Sequence, residues 1–170
     1  INRFSSDIDE MEKMLNEYLL FSSESNKEKT EEFELNSLIN NTITKFNNSL
    51  ITFNRGEEFL FNGRMLSIQR CLNNLIENST KFANKIEITF QKLKSNVLIY
   101  IEDDGPGIPI QERENVFKPF YKIDKSRSQE SSSVGLGLSI SSDIVRSHGG
   151  KIELGDSKYG GLKVIISLPF

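Results

Sequence analysis

The sequence predicts an α+β fold, a two-layer α/β sandwich preceded by one bundle-type helix, and three observations carry that expectation. Strands come in neighbouring pairs, the alternating 86–93 with the continuous apolar run 97–101 and then 151–154 with 162–168, which calls for a mixed, largely antiparallel sheet. Three amphipathic helical patterns lie between the strands, each with a single apolar face, so the helices belong on one side of that sheet. Residues 3–26 are helical in pattern yet carry a narrow apolar seam that one helix cannot bury alone.

That seam is Phe4, Ile8, Met11, Leu15 and Tyr18, spaced 4, 3, 4 and 3 residues apart. Partner helices would have to come from outside this sequence; packing back on the domain is the alternative. Residues 22–32, rich in Ser, Asn, Glu and Lys, read as a linker and domain boundary. A short strand, Phe33-Glu34-Leu35, leads to a helix capped by Asn36 or Ser37 and running to about Asn47. Two short strands, 50–53 and 59–61, are expected to be joined by Asn54-Arg55-Gly56, with Gly63 as a break. The helix 65–82 buries Ile68, Leu72, Leu75 and Ile76. Strand 86–93 turns at Ser95-Asn96 into strand 97–101. From Pro109 to Val134 the periodicity dissolves: one short helix near 111–116, then Phe117-Lys118-Pro119-Phe120-Tyr121-Lys122, then a Ser-rich run at 126–133. A loop of this length inside a compact domain usually has a function, a lid being a common one. Helix 135–147 turns Leu138, Ile140, Ile144 and Val145 inward, and Gly149-Gly150 ends it before the two closing strands.

Composition narrows the function. A net charge of −3 over 170 residues, with Lys and Arg dispersed, gives no nucleic-acid footprint. No apolar run reaches membrane-spanning length. Cys71 stands alone in a helical pattern and reads as a buried, inert thiol.

Three stretches carry chemistry. At 97–108, a buried strand stops at Asp103-Asp104 and a Gly105-Pro106-Gly107 turn. A carboxylate there accepts hydrogen bonds only, so it takes an exocyclic amine and repels a carbonyl; an ordinary strand-to-loop turn is the plainer alternative. On helix 65–82, Arg70, Asn74, Asn78 and Lys81 share one side, an arrangement suited to Mg²⁺ and phosphate as well as to plain solvation. In Ser133-Val134-Gly135-Leu136-Gly137-Leu138, glycines at a helix start leave free N–H groups for an anion, without the Lys of a Walker loop.

Taken in this order, Asn-x-x-x-Asn, Asp-x-Gly-x-Gly, Phe-x-x-Phe and Gly-Leu-Gly-Leu resemble the N, G1, F and G2 boxes of the ATP-binding domain of sensor histidine kinases, over about residues 33–170. Glu102-Asp103-Asp104-Gly105-Pro106-Gly107-Ile108-Pro109 and His148-Gly149-Gly150-Lys151-Ile152-Glu153-Leu154-Gly155 are similar to the osmosensor branch of that family. The resemblance implies the Bergerat (GHKL) sandwich for 33–170, and for 1–26 the second helix of a dimerisation and phosphotransfer bundle. It implies ATP and Mg²⁺ as cofactors, with Asn78 as the metal ligand and Asn74 and Lys81 near the phosphates. Asp103 would contact adenine over a floor shaped by Gly105 and Gly107, with Phe82 and Ile123 beside the nucleotide. Phe117 and Phe120 would anchor a lid, Lys122 would reach a phosphate, and Val134, Gly135, Leu136, Gly137 and Leu138 would wrap the triphosphate. The partners implied are a response regulator, the phosphoacceptor helix of the parent kinase and a second copy in a full-length homodimer. The implied location is the cytoplasmic portion of a membrane-anchored sensor.

The sequence departs from the family pattern at three positions. Ser133 replaces the usual first glycine of the last box, Phe82 a frequent Tyr, and Lys122 a frequent Arg, which exchanges a fork for a point charge. Asn74 stands where related ATPases of the gyrase, Hsp90 and MutL kind carry a water-activating Glu, and an amide is no base. Glu77 lies about 100° round the helix from Asn78. Phosphoryl transfer is therefore expected over hydrolysis. The one histidine, His148, sits at a helix C-terminus, where it is expected to complement the dipole and pack, so no phosphoacceptor is present. A nucleotide-binding regulatory module without kinase activity and a GHKL-type ATPase are the competing expectations.

Overall fold

The computed structural model describes residues 28–46, 48–123 and 135–170, together with Glu12, Leu15, Asn16 and Leu19. Those last four are helical, and Leu15 and Leu19 are more than half exposed. The rest of the expected seam, Phe4, Ile8, Met11 and Tyr18, lies outside the described residues, as do the Ser-rich run and Val134.

Strand β1 (Glu31–Glu34) begins inside the stretch expected as linker. Glu34, not Asn36 or Ser37, caps helix α1 (Leu35–Ile43): its carboxylate accepts from the Asn36 and Ser37 amides at 3.0 and 2.7 Å. Burial opposes that charge, yet the Asn36 and Ser37 donors hold the carboxyl down at about 2. Helix α1 also stops four residues earlier than the pattern suggests. The Phe46 amide bonds back to the Ile43 carbonyl at 2.9 Å, tightening the end into a turn.

The expected hairpin between 50–53 and 59–61 does not form. Strand β2 (Ile51–Asn54) lies parallel to β4 (Ile86–Lys92), whereas β3 (Leu60–Gly63) pairs antiparallel with β1. Side-chain packing separates them. Phe61 is buried edge-on against Phe33, with ring centroids 5.7 Å apart, which draws β3 to β1. Gly56 belongs to no tight turn; the Phe90 ring lies where a Cβ would stand, at 2.8 Å.

The main sheet has the order β2-β4-β5-β7-β6, where β5 is Asn96–Asp103, β6 Lys151–Asp156 and β7 Leu162–Pro169. Every pair except β2 with β4 is antiparallel. Helices α2 (Met65–Phe82) and α3 (Gly137–Ser147) complete the helical layer. Alternation along the strands turns Ile88, Ile99, Ile101, Val164 and Ile166 inward, where they form one core with Leu72, Leu75, Ile140 and Ile144 of the helices. The two-layer sandwich expected from the sequence is thus present. Cys71 is buried on α2, and burial pushes its thiol up to about 12, which keeps it inert.

On the outer face, the connection between β6 and β7 folds back over β4 and β5. The Tyr159 hydroxyl donates to Glu87 at 2.8 Å, Lys158 pairs with Glu87, and the Lys158 amide reaches Glu102 at 3.3 Å. Lys158 and Tyr159 together hold the Glu87 carboxyl below its usual range. This clasp fixes the start of β7 beside the end of β5.

Candidate functional site

The strand alternation that buries Ile99 and Ile101 carries Asp103 to the helix-facing side at the last position of β5, where it is 4% exposed. Its Oδ1 accepts the Gly105 and Leu162 amides at 3.0 and 2.9 Å, and its Oδ2 accepts the Ser79 hydroxyl at 2.9 Å. A carboxylate offers about four lone-pair sites, so one acceptor position on Oδ2 remains. Asp104 turns the other way. It receives the Asn84 and Lys85 amides at 2.8 and 2.9 Å, and those donors, Lys85 first, hold it below the carboxylate range. Of the two adjacent acids, Asp103 is buried toward the helical layer and Asp104 belongs to a surface turn.

Glycines shape the floor. A Cβ on Gly161 would stand 2.4 Å from Asp103 Oδ1 and 2.5 Å from the Gly105 nitrogen. Gly105 lies between Asp103 and the Phe82 carbonyl, and Gly107 takes a φ of 68°. Phe82 itself is half exposed at the end of α2.

One wall is α2. The Asn74 amide nitrogen donates to the Gly137 carbonyl at 3.4 Å, which brings this helix face to the start of α3. Asn78 is partly buried one turn further on, and among the described residues no hydrogen bond engages its amide. Lys81 is paired with Glu77 at 2.8 Å on the exposed side of the same helix, so its ammonium lies against a carboxylate. The other wall is the start of α3. Gly135, at φ 77°, packs against the backbone of Phe120 and Tyr121, and the Phe120 amide donates to the Gly135 carbonyl at 3.0 Å. That bond brings Phe120 and Lys122 to the head of the helix. Leu136 is buried in the core, and as the N-cap residue it offers no side-chain acceptor. The first-turn N–H groups of Gly137, Leu138 and Ser139 therefore point out of the helix without intrahelical partners.

The structure thus forms two clusters along α2: Asp103, Gly105 and Gly107 with Ser79, Phe82 and Gly161 at its C-terminal end, and Asn74 with Gly135, Gly137 and Phe120 at the start of α3, where Leu136 and Leu138 also lie. Asn78 falls on α2 between them, and the space between the two clusters is the candidate cleft. Phe117, Lys122 and Ile123 belong to the connection that precedes α3; Val134 lies outside the described residues. Ser79, Gly161 and Leu162 were not singled out in the sequence, although Gly160-Gly161 is a visible signal. Among the described residues no cluster of three His, Cys, Asp or Glu side chains could hold a metal ion.

His148 packs as expected but does not complement the dipole with charge. Its Nδ1 donates to the Ile144 carbonyl at 2.8 Å, and its Nε2 accepts the Arg64 amide at 3.1 Å, which requires the neutral ring. Burial, and then the Arg64 charge, push it below its ordinary 6.5.

A family model described as "Histidine kinase-, DNA gyrase B-, and HSP90-like ATPase" matches residues 63–170. The chain is 37% identical over 108 residues to the sensor histidine kinase CpxA of Escherichia coli K12, covering 63% of this chain and 24% of that protein. It is 29% identical over 170 residues to the sensor histidine kinase GtrS of Pseudomonas aeruginosa, covering 98% of this chain and 35% of that one. The chain therefore spans about a quarter to a third of the length of these relatives. Among solved structures, the nucleotide-free catalytic domain of the histidine kinase ThkA superposes with a TM-score of 0.71 at 30% identity, covering 83% of this chain and 95% of that one.

Proposed function

The chain belongs to the histidine kinase-, DNA gyrase B- and HSP90-like ATPase family as the ATP-binding catalytic domain of a sensor histidine kinase, and on that premise we propose that it holds Mg²⁺–ATP for transfer of the γ-phosphoryl to a histidine on another helix. The observation that carries the choice of transfer over hydrolysis is Asn74. It occupies the turn before Asn78 facing the start of α3, and its amide, engaged with the Gly137 carbonyl, has no lone pair able to take a proton from water.

The free acceptor position on Asp103 suits the adenine amine, and the same carboxylate repels the carbonyl that guanine presents there. The outward N–H groups at the start of α3 suit the phosphates, with Lys122 and, once released from Glu77, Lys81 adding charge. Asn78 fits Mg²⁺: its neutral amide oxygen is engaged by no other group among the described residues, and this ion draws its remaining ligands from phosphate and water. Bound there, Mg²⁺ would neutralise charge on the phosphate oxygens. In the transfer the γ-phosphorus–oxygen bond to ADP breaks as a nitrogen–phosphorus bond to the acceptor imidazole forms. His148 is not that imidazole, because both its nitrogens are bonded within the fold.

Residues 1–26 then belong to a dimerisation and phosphotransfer bundle in the parent protein. The helical state and exposure of Leu15 and Leu19 support this, since they leave apolar surface for partner helices. The parent would be a homodimeric, membrane-anchored sensor with this portion in the cytoplasm, passing the phosphoryl on to an aspartate of a response regulator. Among the described residues, no helix is long and apolar enough to cross a membrane.

The test is incubation of the chain with γ-labelled ATP, Mg²⁺ and a helical hairpin bearing an acceptor histidine in a His-Glu context. Label on that histidine, with little ADP formed when the hairpin is omitted, is the expected result. ADP release independent of the hairpin would move the assignment to an ATPase.

A further inference from the structure

Helix α2 does not cap itself. Arg64, its N-cap residue, places no side-chain acceptor on the first turn, and the first turn contains no acid. Two distant residues supply the acceptors instead. The Glu28 carboxylate, in the segment just before β1, accepts the Leu66 amide at 2.6 Å, the Ser67 amide at 3.1 Å and the Ser67 hydroxyl. From the other flank, His148 accepts the Arg64 amide, and the Arg64 guanidinium meets the Ser147 hydroxyl. An anion at this end of an 18-residue helix also meets the positive pole of its dipole.

We propose that Glu28 is a latch, seating the segment that enters the catalytic domain on the head of α2 and coupling its position to the cleft. The coupling follows from how α2 and α3 lie. They run antiparallel and touch at three levels: Arg64 with Ser147 and His148, Cys71 with Ser141, and Asn74 with Gly137. Both helices pack on one core, so a shift of α2 at its latched end tilts it against α3. At the other end that tilt changes the gap between Asn74 and Asn78 and the N–H groups at the start of α3. Latched, the first-turn donors of α2 are satisfied by Glu28. Unlatched, they turn to water and residues 28–30 leave the domain surface. By linkage, if the seated segment favours the nucleotide-binding arrangement, nucleotide favours seating.

The latch itself needs no nucleotide; its coupling rests on the nucleotide reading given above. Three measurements on the 170-residue chain, wild type, Glu28→Gln and Glu28→Ala, test the two parts separately. In the absence of nucleotide, amide exchange at Leu66 and Ser67 is expected to speed up about tenfold or more in Glu28→Ala and less in Glu28→Gln, which keeps one acceptor oxygen. Exchange at Ile88 and Ile99 in the sheet is expected to stay as in wild type, which excludes general unfolding. Tryptic cleavage after Lys29 is expected to accelerate in the same order. Unchanged exchange and cleavage would overturn the latch. Calorimetry with Mg²⁺–ATP is then expected to show about fivefold or more weakening in Glu28→Ala. Equal affinity in all three proteins would overturn the coupling, and an absence of binding in wild type would count against the nucleotide reading itself.

Discussion

The Ser79 hydroxyl donates to Asp103 Oδ2 at 2.9 Å where both side chains are almost wholly buried, 3% and 4% exposed. With two backbone amides on Oδ1, the carboxylate is fixed by three donors and keeps a single remaining acceptor position on Oδ2. Asp103→Asn keeps an oxygen for the backbone amides and puts an NH₂ group toward the cleft, beside Ser79, whose hydroxyl can rotate to accept. The fold should survive, while an adenine amine would meet a donor. About 1–3 kcal/mol of binding is expected to go, about a 5- to 150-fold loss in ATP affinity, with the melting temperature shifting by only a few degrees. Titration calorimetry beside a thermal melt reads both, and full retention of ATP affinity would remove Asp103 from the nucleotide contact.

Gly161 tests the floor by volume alone. An alanine there places its Cβ within 2.5 Å of the Asp103 backbone oxygen and the Gly105 nitrogen, neither of which can swing away. About 1–3 kcal/mol of destabilisation is expected from such overpacking, together with weaker nucleotide binding as Asp103 is pushed aside. Gly155→Ala is the control, since nothing lies within 4 Å of the added atom. Urea unfolding of the two variants should separate them clearly. Equal stability would mean that the connection after β6 yields, and that the clasp of Lys158 and Tyr159 on Glu87 does not hold it.

Asn78→Ala separates metal from base. The side chain makes no hydrogen bond among the described residues, so its loss should leave stability within about 0.5 kcal/mol. What should disappear is the dependence of ATP affinity on Mg²⁺. If affinity still rises with Mg²⁺ as it does in wild type, the metal is held elsewhere.

Much of this site was legible because its chemistry is local in sequence. A buried strand ending in Asp103, glycines directly after it, and Asn74 and Asn78 one turn apart each state their geometry within a few residues. What escaped depends on distance along the chain. Ser79 and Leu162 reach Asp103 from 24 and 59 residues away, and Glu28 caps α2 from 38 residues away. The same reason undid the expected hairpin. Turn residues at 54–56 fit one, but Phe61 finds Phe33, and β2 finds β4, partners that no neighbouring residue announces. Glu34 shows the reverse error: Asn36 and Ser37 have good capping propensity, yet a longer carboxylate two residues earlier captures both amides.

His148 gives the fold a pH dependence whose sign follows from its bonds. The neutral ring donates through Nδ1 and accepts through Nε2; a proton on Nε2 would set it against the Arg64 amide. The charged groups beside it are Arg64, which disfavours protonation, and Glu28, which favours it. Burial and Arg64 prevail, so the folded value lies below 6.5. As pH falls, the unfolded chain takes up this proton first, so the contribution of His148 is complete above 6.5 and is lost as pH falls through the lower folded value. Glu34 acts in a separate window: its contribution is complete above 4.5 and is lost only on the way to about 2. Stability measured by urea midpoint should therefore slope downward as pH falls from 6.5 toward 4.5, and that slope should flatten in His148→Asn while the steeper loss at lower pH remains. A slope of unchanged size in the variant would place its origin in some other group. A slope of opposite sign in wild type would mean that Glu28 outweighs Arg64 and that the ring is charged in the fold.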